Sequence, residues 1–105
     1  MFYIRSIDQE SLNLQKLKGE KYAEQNSLLF NFIVNEKTSG LSPFSERPGM
    51  HKVLQMVEER KIKTVIVYSL IRVSRDTEQL LYFIEFLNKY HTRLVILNGD
   101  FKNAY

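Results

Sequence analysis

The sequence predicts an α/β protein, three layers deep, on a parallel or mostly parallel sheet of about four strands. Two observations predict it. Short apolar, β-branched or aromatic runs alternate with longer helical segments in the order β-α-β-α-β-α-β. The chain also has 105 residues, 44% of them hydrophobic, which allows one domain with a modest core and argues against disorder.

Phe2 to Arg5 is short, apolar and aromatic, and reads as the first strand. Ser6 or Asp8 then caps a helix running to about Gln25, with Asp8 and Glu10 near its positive end. The apolar residues of that helix, Leu12, Leu14, Leu17, Tyr22 and Ala23, share no single face. Gly19 within it costs about 1 kcal/mol against alanine. Leu28 to Val34 is a second apolar run of strand length. Residues 36–47 carry Lys, Thr, Ser, Gly, Pro and Glu and read as a long exposed loop, and loops of about a dozen residues in compact domains are usually functional or mobile. Pro48 opens the next helix, where its missing N–H is not needed. Met50, Val53, Leu54 and Val57 recur at i, i+3, i+4, i+7 and form a clean apolar face. Thr64 to Leu70 is β-branched and aromatic, a buried strand. Asp76 or Ser74 caps a third helix to about Tyr90, and Arg93 to Leu97 is the fourth strand. That third helix has a core face of Leu80, Phe83, Ile84 and Leu87. Its second aromatic series, Tyr82, Phe86 and Tyr90, is either further core or a partner surface.

Several function classes fall away. The chain has no cysteine, which excludes a disulfide framework and a thiolate metal site and agrees with a reducing compartment. No apolar run approaches the roughly 18 residues of a membrane span. The N-terminus shows no basic region before an apolar one, so a cytoplasmic location is expected. A net charge of +3 and a pI of about 9.2 are compatible with nucleic acid without requiring it. His51 and His91 are isolated, and Glu58-Glu59-Arg60-Lys61 reads as a solvated helix end.

In open α/β sheets ligands bind beyond the carboxyl ends of the strands. Ser6 follows the first strand, residues 36–47 the second and residues 71–75 the third, so topology brings them to one edge. Ser6 is a candidate nucleophile or simply a helix cap. Arg5 is its immediate neighbour, and adjacent strand residues point to opposite faces. The two therefore diverge unless the chain turns between them, and Arg5 is either part of the site or an exposed strand-end charge. Pro48 holds Arg47 extended beside a helix N-terminus that favours anions. Arg47 is accordingly a phosphate ligand or a solvated loop charge. If the third helix begins near Leu70, Arg72 and Arg75 lie at i, i+3 on one face, and two like charges there need an anion. Guanidinium forks match phosphate oxygens and stabilise charge on a transferring phosphoryl group. A serine among such groups suits a phosphodiester broken by a hydroxyl.

Taken in order, Tyr3-Ile4-Arg5-Ser6, the run from Ser6 to Gln15, Glu36 with Ser39-Gly40, Arg47-Pro48 and Leu70-Ile71-Arg72-Val73-Ser74-Arg75 carry a likeness over nearly the whole chain. The sequence resembles the catalytic domain of the serine recombinases, the resolvase/invertase family. It departs from that family at two places. Arg5 and Ser6 are adjacent, where the family pattern Tyr-x-Arg-Val-Ser keeps one residue between them, and Ile71 stands where the family usually has aspartate.

The resemblance implies a resolvase-like sheet with the expected strand order 2-1-3-4. It implies a site-specific DNA recombinase domain in which Ser6 attacks the backbone, forms a phosphoserine link and lets the strands exchange and rejoin, with no metal or nucleotide cofactor. Arg5, Arg47, Arg72 and Arg75 would be catalytic, the last three on the scissile phosphate, with Gln15 and Glu36 in support. DNA would be the partner, bound weakly and without sequence preference by this short form, with a homo-oligomer in the full-length context and no membrane. Residues 1–105 are expected to form the catalytic domain alone, lacking the long dimerisation helix and DNA-binding domain of family members. The two departures leave a second reading, a degenerate interaction module that kept the fold and lost the chemistry. A phosphoacceptor receiver-like domain fits badly, because Arg5-Ser6 and Ile71-Arg72 stand where that chemistry wants acids.

Overall fold

The computed structural model describes residues 1–27 and 32–98. Four parallel strands, β1 (Phe2–Ser6), β2 (Ile33–Lys37), β3 (Thr64–Val67) and β4 (Arg93–Ile96), form one sheet in the order β2-β1-β3-β4. The order and the α/β class are those the sequence predicts. β1 is central, pairing Tyr3 with Val34 of β2 on one side and with Val67 of β3 on the other. Every residue of β1 is buried, as its central place and the apolar, aromatic run Phe2–Ile4 require, and Arg5 and Ser6 are enclosed at its end. β2 lies at the edge and alternates, with Val34 and Glu36 inward and Ile33, Asn35 and Lys37 outward.

Helix α1 (Gln9–Gln25) covers one face of the sheet, and α2 (Pro48–Glu58) and α4 (Thr77–Lys89) cover the other. The larger core joins Met50, Val53 and Val57 of α2 and Phe83, Ile84 and Leu87 of α4 to Tyr3, Val65, Val67, Leu94 and Ile96. The smaller core joins Leu12 of α1 to Phe2, Ile4, Ile66 and Val95. The untidy apolar stripe of α1 follows from this. Its inward face is Leu12, Gln15, Gly19 and Ala23, while Leu14 and Leu17 are exposed. A Cβ on Gly19 would lie 2.1 Å from the ring of Phe2. Glycine here costs about 1 kcal/mol in helix propensity, but it admits a fully buried Phe ring that contributes about 1.5–3 kcal/mol.

The first strand runs one residue further than the sequence reading, to Ser6, and the fourth stops one residue earlier, at Ile96; larger differences lie between them. The second strand continues through Glu36 and Lys37, because these pair with Arg5 and Ser6 of β1. The start of that expected strand, residues 28–31, lies outside the described residues. The third strand stops at Val67, and a short turn of helix, α3 (Leu70–Val73), precedes α4. The supposedly exposed loop is pinned inward at Gly40, Phe44 and Arg47, with a 3₁₀ turn at Phe44–Glu46. Among the described residues no helix is long and apolar enough to cross a membrane.

Candidate active site

The carboxyl ends of β1, β2 and β3 meet around a cleft of about 270 Å³. Arg5, Ser6, Arg72 and Arg75 line it, together with Asp8, Ser11, Ser39 and Gly40. Ser6 ends β1 and is nearly closed off, at 3% exposure. It does not cap α1. Asp8 does, accepting the backbone N–H of Ser11 at 2.7 Å. The Ser6 hydroxyl lies 3.4 Å from Asp8 Oδ2 and accepts from the Asp8 backbone N–H at 3.4 Å.

Arg72 is half-buried and Arg75 exposed, and neither side chain has a hydrogen-bond or ion-pair partner among the described residues. They do not share a helical face as i, i+3 spacing suggested. Arg72 sits in α3, the chain extends at Ser74 (φ −162°, ψ 149°), and Arg75 follows outside the helix. The Arg75 backbone N–H is fixed by the Gly40 carbonyl at 2.9 Å. The two guanidinium groups therefore reach the cleft by a break in the helix.

Arg5 and Arg47 are placed differently. Arg5 is buried, and its guanidinium donates to the carbonyls of Thr38 (2.7 Å), Arg72 (2.9 Å) and Ile71 (3.2 Å). Burial lowers its pKa, with the charge of Arg47 adding to the effect and those of Arg72 and Arg75 contributing less. Arg47 is fully buried. It donates to the carbonyls of Ser42 (3.0 Å), Gly40 (2.9 Å), Ser39 (3.4 Å) and Val73, and it lies over the Phe44 ring at 5.1 Å. A Cβ on Gly40 would meet Arg75 Cγ at 2.7 Å and Arg5 Nη2 at 3.0 Å. Any side chain at residue 40 would displace Arg75 where it meets Arg5.

Two further side chains hold the frame. Gln15 pairs with both backbone groups of Arg5, accepting its N–H at 3.4 Å and donating to its carbonyl at 2.9 Å. This fixes the end of β1 one residue before Ser6. Glu36 accepts from the Tyr3 hydroxyl (2.9 Å) and from the backbone N–H groups of Gly49 (2.7 Å) and Met50 (2.8 Å). The α2 N-terminus, expected to favour a ligand anion, is thus occupied by this carboxylate. Tyr3 has its pKa raised, first by burial and then by the charge of Glu36.

The sequence profile of the family described as Resolvase, N terminal domain, matches residues 1–105. The chain belongs to that family. Among solved structures, it is similar to the N-terminal catalytic domain of TP901-1 integrase, with a TM-score of 0.82 and 28% identity over 92% of this chain and 75% of that one. It is similar to the C-terminal catalytic domain of ISC1926 TnpA, an IS607-like serine recombinase, with a TM-score of 0.83 and 22% identity over 94% of this chain and 67% of that one. The first ORF in transposon ISC1904 from Sulfolobus solfataricus gives a TM-score of 0.74 and 23% identity, covering 94% and 66%. The match to the last two bears on the fold. No individually curated protein matches by sequence.

In this resolvase-family domain, then, the cleft gathers Ser6, Arg5, Arg72 and Arg75 of the residues the sequence singles out. Gln15 and Glu36 are outside its lining and hold the end of β1 and the start of α2. Arg47 is not a solvated loop charge, and its guanidinium is turned onto carbonyls away from the cleft lining. Sequence reasoning passes over Gln79. Its side chain accepts from the Phe44 N–H (2.7 Å) and donates to the Ser42 carbonyl (3.2 Å) and Ser74 Oγ (3.0 Å), tying the loop to α4. A glutamine on a helix carries no signal of such a role.

Proposed function

We propose that this domain cuts and rejoins DNA through Ser6. The Ser6 oxygen loses its proton and attacks the backbone phosphorus, a serine–phosphate bond forms, and the P–O bond to deoxyribose breaks with its electron pair leaving on the sugar oxygen, which takes up a proton from water to become a hydroxyl. Reversal by a hydroxyl of another strand end rejoins the chain, so the bond energy is kept and no metal or nucleotide cofactor enters. Arg72 and Arg75 hold the phosphate and stabilise the charge that grows on it. Arg5 forms the floor of the site. Arg47 acts from behind, holding the Gly40 loop, and Gln15 and Glu36 fix the strand ends.

One observation carries this reading. Ser6 lines the same cleft as two guanidinium groups that have no hydrogen-bond or ion-pair partner among the described residues. DNA binding by the domain alone rests on few phosphate contacts, so it is weak, independent of sequence and steeply salt-dependent. The test fuses the chain to a sequence-specific DNA-binding module, supplies a duplex carrying that module's sites, and traps protein–DNA adducts in detergent. A covalent adduct mapped to Ser6 by peptide mass spectrometry, and absent in Ser6→Ala, is the expected result. An adduct that survives Ser6→Ala eliminates Ser6 as nucleophile. A domain that binds DNA and forms no adduct is the interaction module instead.

A further inference from the structure

A serine hydroxyl is a weak nucleophile until something takes its proton. None of the arginines around Ser6 can do so, since a guanidinium has no acceptor. Among the described residues the cleft lining contains no histidine, and its one acid is Asp8. The two oxygens of Asp8 have separate surroundings. Oδ1 accepts the Ser11 N–H at 2.7 Å and caps α1, while Oδ2 faces the Ser6 hydroxyl at 3.4 Å. The Asp8 N–H also points at Ser6 Oγ, at 3.4 Å. Ser6 and Asp8 thus face each other across Ile7, and the helix cap fixes one carboxylate oxygen and leaves the other on the candidate nucleophile.

From this geometry we infer that Asp8 is the general base that activates Ser6. The inference rests on the proposed role of Ser6. In the step, the Ser6 oxygen bonds to phosphorus as the leaving oxygen departs with the electron pair of its P–O bond. The Ser6 proton passes to Asp8 Oδ2 and then to water. The 3.4 Å separation is long for a productive hydrogen bond, and such contacts commonly tighten when substrate is bound. The capping duty also explains how an exposed carboxylate on a loop keeps one orientation: a 2.7 Å bond to a helix N–H holds it.

The test uses the full chain and an activated diester, bis(4-nitrophenyl) phosphate, so it needs no DNA target. Release of 4-nitrophenolate and the mass of the Ser6 adduct are followed together. The expected result is a Ser6-bound adduct in the native chain, none in Ser6→Ala, and formation slowed about 10²-fold or more in Asp8→Asn. Asparagine caps a helix as well as aspartate does, so helix content and the thermal midpoint should stay unchanged. Asp8→Ser, a second capping residue, should show the same loss. The residual rate of Asp8→Asn should climb about tenfold per pH unit, as hydroxide replaces the missing base, a response a structural role would not produce. A Ser6 adduct formed at the native rate in both variants overturns the role of Asp8 and leaves Ser6 as nucleophile. Slowing that appears only with loss of helix content makes Asp8 a cap and nothing more. If the native chain forms no adduct at Ser6, the reading of Ser6 and that of Asp8 fall together.

Discussion

The four arginines at the carboxyl edge of the sheet divide into two pairs with opposite surroundings. Arg5 and Arg47 lie in the interior with their donors taken by main-chain carbonyls, while Arg72 and Arg75 face the cleft with none taken among the described residues. The carbonyls that hold the inner pair belong to residues 38–42 and 71–73, the segments that carry Gly40 and Arg72 and lead to Arg75. The inner cations therefore staple together the two loops that present the outer ones. Burying a cation costs several kcal/mol. Bonds from a charged donor return about 1.5–3 kcal/mol each, so several per guanidinium offset the cost without a carboxylate. A carboxylate in that place would also neutralise the field that the outer pair needs. One residue type thus serves structure in one region and ligand binding in the next.

The largest expected effect falls on the inner pair. Arg47→Ala removes one donor from each of four carbonyls, although those of Ser39, Gly40 and Ser42 each keep another, and it empties a fully buried volume; it should lower stability by about 3–5 kcal/mol, read as a shifted urea midpoint. Arg47→Lys should recover only part, because an ammonium lacks the planar fork. If Arg47→Ala unfolds like the native chain, the staple does not exist and Arg47 returns as a candidate phosphate ligand.

The outer pair should behave in reverse. Arg72→Ala should leave stability within about 0.5 kcal/mol while lowering Ser6 adduct formation about 10²–10³-fold, and Arg75→Ala should follow it. A drop in stability comparable to that of Arg47→Ala would erase the distinction between the pairs.

Gly40 stands between them. Gly40→Ala sets a Cβ against Arg75 Cγ and Arg5 Nη2, and overpacking of this kind costs about 1–3 kcal/mol. Because Arg75 Cγ belongs to the stem of the side chain, the outer guanidinium must move as well. Stability and adduct formation should therefore fall together in this variant, unlike in either pair alone. A fall in stability alone would mean that Arg75 is free to adjust and is not held by the loop.

How much of this was legible in the sequence follows the same division. Alternation of strand and helix and the apolar face of α2 were readable because periodicity is local. The gathering of Ser6 with Arg72 and Arg75 was readable because a parallel sheet puts its strand ends at one edge. The inner role of Arg47 was not, because the carbonyls that bind it come from Ser39 to Ser42 and from Val73, and no side-chain pattern marks an acceptor on the main chain. The opposition of Arg5 and Ser6 across a strand was foreseen. Its resolution was not: both residues line the cleft, and the Arg5 guanidinium is held there by the carbonyls of Thr38, Ile71 and Arg72. Gly19 weakens α1 by propensity alone, and only its contact with the Phe2 ring, which is remote in sequence, gives the reason for it.

The smallest effect concerns Tyr3, which reports how dry the region around the inner pair is. Its hydroxyl donates to Glu36 at 2.9 Å, and burial, followed by the Glu36 charge, pushes its pKa well above the ordinary value, with Arg47 partly opposing. The folded state therefore keeps a proton that the unfolded chain releases above about pH 10. There the unfolded state binds fewer protons, so stability present below that pH is lost as pH rises. Tyr3→Phe removes this dependence and, near neutral pH, should cost only about 1 kcal/mol, since Glu36 keeps its two backbone donors. Urea unfolding of both chains between about pH 7 and pH 11 decides the matter. The native curve should fall toward that of Tyr3→Phe as pH rises through the tyrosine range. Parallel curves would show that Tyr3 ionises as readily folded as unfolded. Water would then reach the Tyr3–Glu36–Arg47 region, and the inner arginine would be far less separated from the outer pair than its burial indicates.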